Sequence, residues 1–275
     1  MPKLFKILIY FTLLKGVFLS FPLLAADCSI NYGQDTTTSA DCDGFELERQ
    51  LDFDITIDSG FTLSDDSNGL VIDLAIFNMT GTLINNGSVS TIQTKAITFV
   101  GGSINSIINN GTLAADSNTL DIDGAGNLIR FENTGTMSAS TIATVNVSLR
   151  SELTTFINSG TISALGQTIF LDSGTITTLN NSGTISSSDD TIDNFSGTLT
   201  TLLNSNTISS NGGVAVSNKN GATMGLINNS GTILSETAEG ISNWDSTITT
   251  LTNSGAIQSD NADAIYNRGG IINTL

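Results

Sequence analysis

The chain of 275 residues contains no histidine, two prolines, two cysteines and one tryptophan. Without histidine, a Ser–His–Asp protease triad is excluded. Few strong helix formers recur at helical spacing, whereas Ile, Thr and Val recur in short runs between residues that favour turns. This combination favours many short strands joined by tight turns, so the sequence predicts an all-β protein and, lacking a recognisable catalytic constellation, a non-enzyme.

Positive charge is also scarce. Nine Lys and Arg stand against 26 Asp and Glu, which gives a formal net charge of −17. Three of the lysines lie in the first 26 residues, so the remainder carries −20. Such a surface repels nucleic acid and anionic lipid, and we therefore expect no nucleic-acid partner.

The first 26 residues have the features of a signal peptide. Lys3 and Lys6 precede apolar residues, and Ala25 and Ala26 offer a small-residue cleavage site. Lys15 splits the apolar stretch, which disfavours a permanent transmembrane helix. A lipid anchor on Cys28 is disfavoured because an acid, not a small residue, precedes it. The sequence therefore predicts an exported protein.

Residues 27–63 do not fit the pattern that follows them, and we interpret them as an N-terminal cap that grades into the first coil. In an exported chain, Cys28 and Cys42 predict a disulfide that closes a 15-residue loop, worth about 3 kcal/mol in the chain-entropy model. Acidic residues of this region could bind Ca²⁺, but the sequence has no EF-hand loop or GGxGxD nonapeptide. We therefore expect a solvated acidic face and no cofactor.

From residue 64 to 275 one phrase recurs, as in LNNSGTISSS (179–188) and LTNSGAIQSD (251–260). Its anchor positions are 23 to 25 residues apart and average 24: Gly87, Gly111, Gly135, Gly160, Gly183, Asn206, Gly231 and Gly255. Two residues before every anchor stands an asparagine: Asn85, Asn109, Asn133, Asn158, Asn181, Asn204, Asn229 and Asn253. A repeat of this length indicates a solenoid.

Each unit also carries apolar residues at fixed offsets from the anchor. They recur at two residues after it and at four before it. They recur at seven before it in every unit but the first, which has Thr80 there. A further position about ten residues after the anchor holds Ile97, Leu120, Val145, Ile169, Ile192, Val216, Ile241 and Ile265. Three short strands per unit predict a right-handed, three-faced parallel β-helix of about nine coils, stacked about 4.8 Å apart around an aliphatic core.

The recurring Asn and Gly have two structural interpretations each. Gly supplies either a left-handed corner or room for close approach between coils, and Asn206 fits the left-handed corner because Asn tolerates positive φ. Stacked asparagines predict an amide ladder, although they could instead line a ligand groove. Late in the chain a second asparagine series replaces apolar residues: Asn194, Asn218, Asn243 and Asn267. We interpret it as another ladder, with a binding patch as the alternative.

The signal peptide, the short cap and the coils written LxNSGTI resemble the passenger region of a Gram-negative autotransporter over the whole chain. The resemblance implies a passenger displayed at the cell surface or released, and secreted through a C-terminal β-barrel in the outer membrane. Passengers of this family often act as adhesins or aggregation factors, while others carry a protease or lipase domain. Ile272 and Leu275 repeat Ile248 and Leu251, so the chain stops in mid-coil and we expect a longer protein.

We therefore expect a non-catalytic β-helix that acts in adhesion, self-association or surface coating, with a host or neighbouring cell, a glycan or itself as partner. A polysaccharide lyase or hydrolase is the enzymatic alternative, since such sites need paired carboxylates or Arg and Lys on one face. The nearest cluster is Asp189, Asp190 and Asp193, with Arg150, Lys219 and Arg268 scattered elsewhere. A purely structural envelope protein is the third possibility.

Overall fold

A computed structural model describes residues 36–38, 54–65, 70–72, 78–92 and 95–275. In this part of the chain all regular structure is β-strand, and every strand pairs in parallel with the strand one coil before or after it. Each turn of the chain contributes one strand to each of three sheets. The predicted all-β parallel solenoid of about nine coils with three faces is therefore confirmed.

The three sheets, named A, B and C, have strands numbered in chain order. Sheet A consists of β1 (Thr36–Thr38), β2 (Ile55–Ile57), β5 (Asn78–Asn85), β8 (Ser103–Asn109), β11 (Asn127–Asn133), β14 (Glu152–Asn158), β17 (Thr175–Asn181), β20 (Thr198–Asn204), β23 (Thr223–Asn229), β26 (Thr247–Asn253) and β29 (Ile271–Thr274). Sheet B consists of β3 (Thr62–Asp65), β6 (Ser88–Thr91), β9 (Thr112–Ala115), β12 (Thr136–Ala139), β15 (Thr161–Ala164), β18 (Thr184–Ser187), β21 (Thr207–Ser210), β24 (Thr232–Ser235) and β27 (Ala256–Ser259). Sheet C consists of β4 (Leu70–Ile72), β7 (Ile97–Val100), β10 (Leu120–Asp123), β13 (Ala143–Ser148), β16 (Gln167–Asp172), β19 (Ile192–Phe195), β22 (Val216–Lys219), β25 (Ile241–Trp244) and β28 (Ile265–Arg268).

The core runs along the axis between the three sheets. The apolar residues of successive coils pair in register, so that Ile169 pairs with Ile192 and Ile162 with Ile185. Phe131 and Phe156 are fully buried and pack edge to face with ring centroids 5.2 Å apart. No coil could bury its apolar residues alone, so the stacking of coils is what removes them from water.

Strand β5 departs from the constant spacing of the repeat. A register shift lies between Met79 and Thr82, so one extra residue is present in β5. As a result Met79 pairs with Ile104 and is buried, whereas Thr80 is exposed. The apolar pattern is therefore kept in this coil, but one residue earlier than constant spacing places it.

The N-terminal predictions fall mostly outside the described residues. Residues 1–26, Cys28 and Cys42 lie there, so the signal peptide and the disulfide remain predictions. Within the predicted cap, β1 pairs with β2, and β2 pairs with β5. Sheet A thus extends into residues 27–63. Among the described residues there is no helix of the length and apolarity that crossing a membrane requires.

Candidate functional site

The asparagines at the recurring phrase lie inside the wall of the solenoid. Asn85 to Asn229 are buried, and each amide nitrogen donates to Oδ1 of the asparagine in the next coil over 2.7–2.8 Å. Each also donates to a backbone carbonyl of the next coil, as Asn181 does to Thr207 over 3.1 Å. Because these amides bond one another away from solvent, the ladder stabilises coil stacking and is not a ligand groove.

The anchor glycines provide close approach rather than a left-handed corner. None of the seven has a positive φ. A Cβ added to Gly183 would lie 2.1 Å from the backbone oxygen of Gly160, and at Gly111 it would lie 2.0 Å from that of Gly87. Any side chain at these positions would therefore clash with the backbone of the preceding coil.

Asn206 corrects the left-handed interpretation of this corner. It has no positive φ, so its backbone tolerance does not explain why Asn replaces Gly there. The coils are instead spaced more widely: Thr207 N lies 3.3 Å from Gly183 O, against 2.9 Å for Thr184 N and Gly160 O. The side chain of Asn206 donates to the carbonyl of Ser182 over 3.0 Å, which partly offsets the weaker backbone bond.

The second asparagine series forms a second buried ladder in sheet C. The amide nitrogen of Asn194 donates to Oδ1 of Asn218, that of Asn218 to Asn243 and that of Asn243 to Asn267, over 2.7–2.8 Å. Asn194 pairs in register with Leu171, so the ladder replaces an apolar stack on the inner side of the sheet. The side chains of Asn194, Asn218 and Asn243 are buried, so this series is not a binding patch.

The outer side of sheet C carries aromatic, charged and hydroxyl side chains, of which Phe195 and Trp244 are exposed whereas Asp193, Ser217 and Ser242 are largely covered by their neighbours. Two outward columns alternate with the inward apolar residues along these strands. One column passes from Phe170 through Asp193, Ser217 and Ser242 to Tyr266. The other contains Phe195, Lys219 and Trp244, with Arg268 beyond.

Lys219 links two of the acids that the sequence singled out. Its Nζ lies 3.0 Å from Oδ2 of Asp190 and 3.1 Å from Oδ1 of Asp193. The contact with Asp190 is a hydrogen bond, whereas that with Asp193 is an ion pair without hydrogen-bond geometry. Oδ1 of Asp190 also accepts a bond of 2.8 Å from the backbone amide of Val214, which fixes the carboxylate.

Burial and charge pairing both shift the pKa values of Asp193 and Lys219. Burial raises the pKa of Asp193, and the neighbouring Asp190 charge adds to this effect, while Lys219 opposes it. For Lys219, burial lowers the pKa, but the two carboxylates together outweigh it and the net pKa is raised. Lys219 therefore stays protonated and is held by its partners, which leaves no free amine for proton transfer.

The other charged candidates are not brought together. Asp189 is exposed, and its backbone carbonyl accepts bonds from the hydroxyls of Ser187 and Ser210. Arg150 is exposed and makes no ion pair with any described residue. Arg268 lies over the ring of Trp244, 4.6 Å from its centroid. The predicted cluster of Asp189, Asp190 and Asp193 thus reduces to the pair bound by Lys219.

Beside that pair is a hollow of about 310 Å³, which we call the sheet C cleft. It is lined by Asp190, Val214, Ser217, Lys219, Glu239, Ser242, Trp244 and Tyr266. Trp244 is 46 % exposed. A second hollow of about 350 Å³ on sheet B is lined by Ser, Ala, Leu165 and Asn211, without an aromatic or charged residue. The sheet C cleft is therefore the one with the side chains that recognition needs.

No group of three or more His, Cys, Asp or Glu side chains placed to hold a metal ion is found in the part of the chain that the structure describes. The Ca²⁺ considered from sequence would bind in the acidic N-terminal region, much of which lies outside that part. In comparisons with known proteins, no family model, curated protein or solved structure matches this chain.

The aromatic side of the cleft was not predicted from the sequence. Trp244 and Tyr266 are 22 residues apart and belong to different phrases of the repeat. The signal was nevertheless present: Tyr266 follows the apolar Ile265 by one residue, and Trp244 follows Ile241 by three. In a strand both offsets point away from the core, so these rings had to appear on one outer face.

Proposed function

We propose that this protein is an exported, non-catalytic β-solenoid that acts by contact at a surface, in adhesion or self-association. It is displayed or secreted in the manner of the autotransporter passengers that its repeats resemble. Its coils wind in the right-handed sense that parallel crossovers prefer, and a disulfide between Cys28 and Cys42 fastens its N-terminal cap.

The observation that carries the proposal is the exposed aromatic and charged group in the sheet C cleft. Phe99, Phe131 and Phe156 are core residues, whereas Phe195, beside the cleft on the outer side of sheet C, is 37 % exposed. Trp244 has nearly half of its surface in water, and it lines the cleft together with Tyr266 and Glu239. Trp, Tyr and Arg are the residues most often found at the centres of binding interfaces.

The state of the carboxylates supports binding over catalysis. A glycoside hydrolase needs a carboxyl that donates a proton and a second that attacks or activates water. Here Asp193 is 2 % exposed and paired with Lys219, and Asp190 is bonded to Lys219 and to a backbone amide. Glu239 is the remaining acid of the cleft. A lyase or hydrolase therefore stays the second candidate, and a purely structural envelope role the third.

Beads coated with residues 27–275 test the proposal. We expect them to adhere to epithelial or bacterial cells, or to clump with one another, more than beads coated with albumin. Self-association without cells would select clumping over adhesion to another surface. In parallel, the soluble protein is incubated with a panel of polysaccharides, and no new reducing or unsaturated ends should form.

Two results would overturn this function. If the beads neither adhere nor clump, a purely structural envelope role becomes the better explanation. New chain ends that disappear with Glu239→Gln would establish the enzyme instead. Leu165→Ala is the matched control, because Leu165 is 66 % exposed and lines the hollow on sheet B rather than the cleft.

A further inference from the structure

We infer that the sheet C cleft is a binding site for a short neutral oligosaccharide. The inference rests on the proposed function and names the ligand class of that same surface. A volume of about 310 Å³ lies at the lower end of the range for small-molecule sites, roughly 300–1,000 Å³. It suits a short saccharide and is too small for a folded partner to enter.

The polar groups of the cleft suit sugar hydroxyls. The hydroxyls of Ser217, Ser242 and Tyr266 and the carboxylate of Glu239 make no hydrogen bond or ion pair with the described residues. Three hydroxyls can each donate and accept, and the carboxylate accepts only. A sugar hydroxyl does both, so these groups match a saccharide better than a ligand that only donates or only accepts.

The aromatic residues supply the apolar half of the site. The indole nitrogen of Trp244 donates to Asp245 over 3.0 Å, and the Arg268 guanidinium lies against the ring. Arg268 does not line the cleft, so it supports the ring without filling the site. An indole held in one orientation loses little entropy on binding, and its flat surface packs against the C–H face of a sugar ring.

The charges select a neutral ligand. Lys219 is the cation that lines the cleft, and its Nζ is already bound by Asp190 and Asp193. Glu239 has no positive partner among the described residues. A uronic, sialic or sulfated sugar would therefore meet an unpaired carboxylate and a net-negative protein, and both repel it.

Fluorescence of Trp244 tests the inference directly, because it is the one tryptophan in the whole sequence. Cellohexaose, chitohexaose, maltohexaose and mannohexaose are titrated into the protein, with hexagalacturonate as the anionic comparison. We expect at least one neutral probe to give a saturable change in Trp244 emission and protection from acrylamide quenching. Hexagalacturonate should bind more weakly than that probe.

Variants then assign the binding to the cleft. Glu239→Gln and Ser242→Ala should each weaken binding of the active probe about tenfold. Trp244→Phe removes the fluorescent reporter, so its affinity is measured by calorimetry, and it should also be lower than that of the wild type. Leu165→Ala, at the other hollow, should bind as the wild type does. Circular dichroism of each variant shows whether the solenoid is intact, and an unfolded variant is replaced by Tyr266→Phe, which removes one hydroxyl.

Three outcomes overturn the inference: no binding of any neutral probe, tighter binding of hexagalacturonate, or neutral-probe binding that the cleft variants leave unchanged. These outcomes are distinct from a failure of the proposed contact function. If coated beads adhere to cells but no neutral probe binds, the ligand class is wrong and the contact function stands. If a probe binds but beads neither adhere nor clump, the site is right and the contact function is wrong.

Discussion

The amide nitrogen of Asn194 donates a hydrogen bond of 2.8 Å to Oδ1 of Asn218, while its own Oδ1 is buried and has no hydrogen-bond partner among the described residues. The cause is the coil before it, where Leu171 occupies the same position and offers no donor. The first ladder begins differently, since Oδ1 of Asn85 accepts a bond of 3.2 Å from the amide of Gly87. The second ladder thus starts with a buried oxygen, Asn194 Oδ1, whose desolvation no hydrogen bond offsets.

Leu171→Asn should extend the second ladder by one coil, because the new amide would donate to Oδ1 of Asn194. The substitution also removes buried apolar surface, so the single variant is expected to be less stable than the wild type. A double-mutant cycle with Asn194→Leu separates the two effects. Chemical unfolding should give a favourable coupling of about 1–2 kcal/mol for the new amide bond. Zero or unfavourable coupling would show that the amide of residue 171 does not reach Asn194.

Asn181→Ala should destabilise the solenoid more than Asn180→Ala. Asn181 is buried, donates to Asn204 and Thr207, and accepts from Asn158, so its loss leaves buried amides unpaired at about 1–3 kcal/mol each. Asn180 is its exposed neighbour on β17, and it makes no side-chain hydrogen bond with the described residues. Thermal unfolding of the two variants measures the difference, and equal unfolding temperatures would contradict a stabilising ladder.

Gly183→Ala should destabilise the solenoid, whereas Asn206→Gly should not. The new Cβ at residue 183 would lie 2.1 Å from the backbone oxygen of Gly160, so we expect a loss of about 1–3 kcal/mol. Removing the side chain of Asn206 should let Thr207 approach Gly183 O more closely than 3.3 Å and leave stability unchanged or higher. Unfolding free energies measure both. Ser182→Ala, at the exposed position beside Gly183, is the control, and a loss as large as that of Gly183→Ala would disprove the clash.

Asp193 predicts a pH dependence whose sign follows from its raised pKa. A carboxyl that holds its proton more tightly in the folded chain adds stability below the ordinary pKa of 3.8 and loses it as the pH rises through the raised pKa. Relative to Asp193→Asn, the wild type should therefore gain in unfolding temperature as the pH is lowered from 7 toward 3.8. Asp189→Asn, which removes an exposed carboxylate, controls for the loss of one negative charge. A relative loss of wild-type stability at low pH would contradict the burial of Asp193.

The repeat was predictable because residues that occupy the same position in successive units lie in register in neighbouring coils. Asn133 and Asn158 are 25 residues apart and hydrogen-bonded, and any constant offset within the unit predicts such a column. Departures from the period were not predictable in this way. The extra residue between Met79 and Thr82 moves the inward position by one, because a bulge adds length without changing the apolar content.

The candidate site was predicted only in part. Asp190 and Asp193 were found by their proximity in sequence, but their partner Lys219 comes from the following coil, where a single lysine has no local signal. Its contact with both acids depends on the rotamer of a long side chain, which spacing does not determine. The anchor glycines show the same limit, since the sequence allowed either a left-handed corner or close approach, and coil-to-coil distance decided between them.

A contact function of the sheet C cleft is best tested by comparing the adhesion of beads coated with wild-type protein and with Trp244→Ala, with Leu165→Ala as the control. Both variants remove an exposed apolar side chain, but only Trp244 lines the sheet C cleft. We expect Trp244→Ala to lower bead adhesion or clumping about tenfold or more, as loss of a central aromatic contact does, while Leu165→Ala adheres as the wild type. Equal adhesion of all three proteins would contradict it.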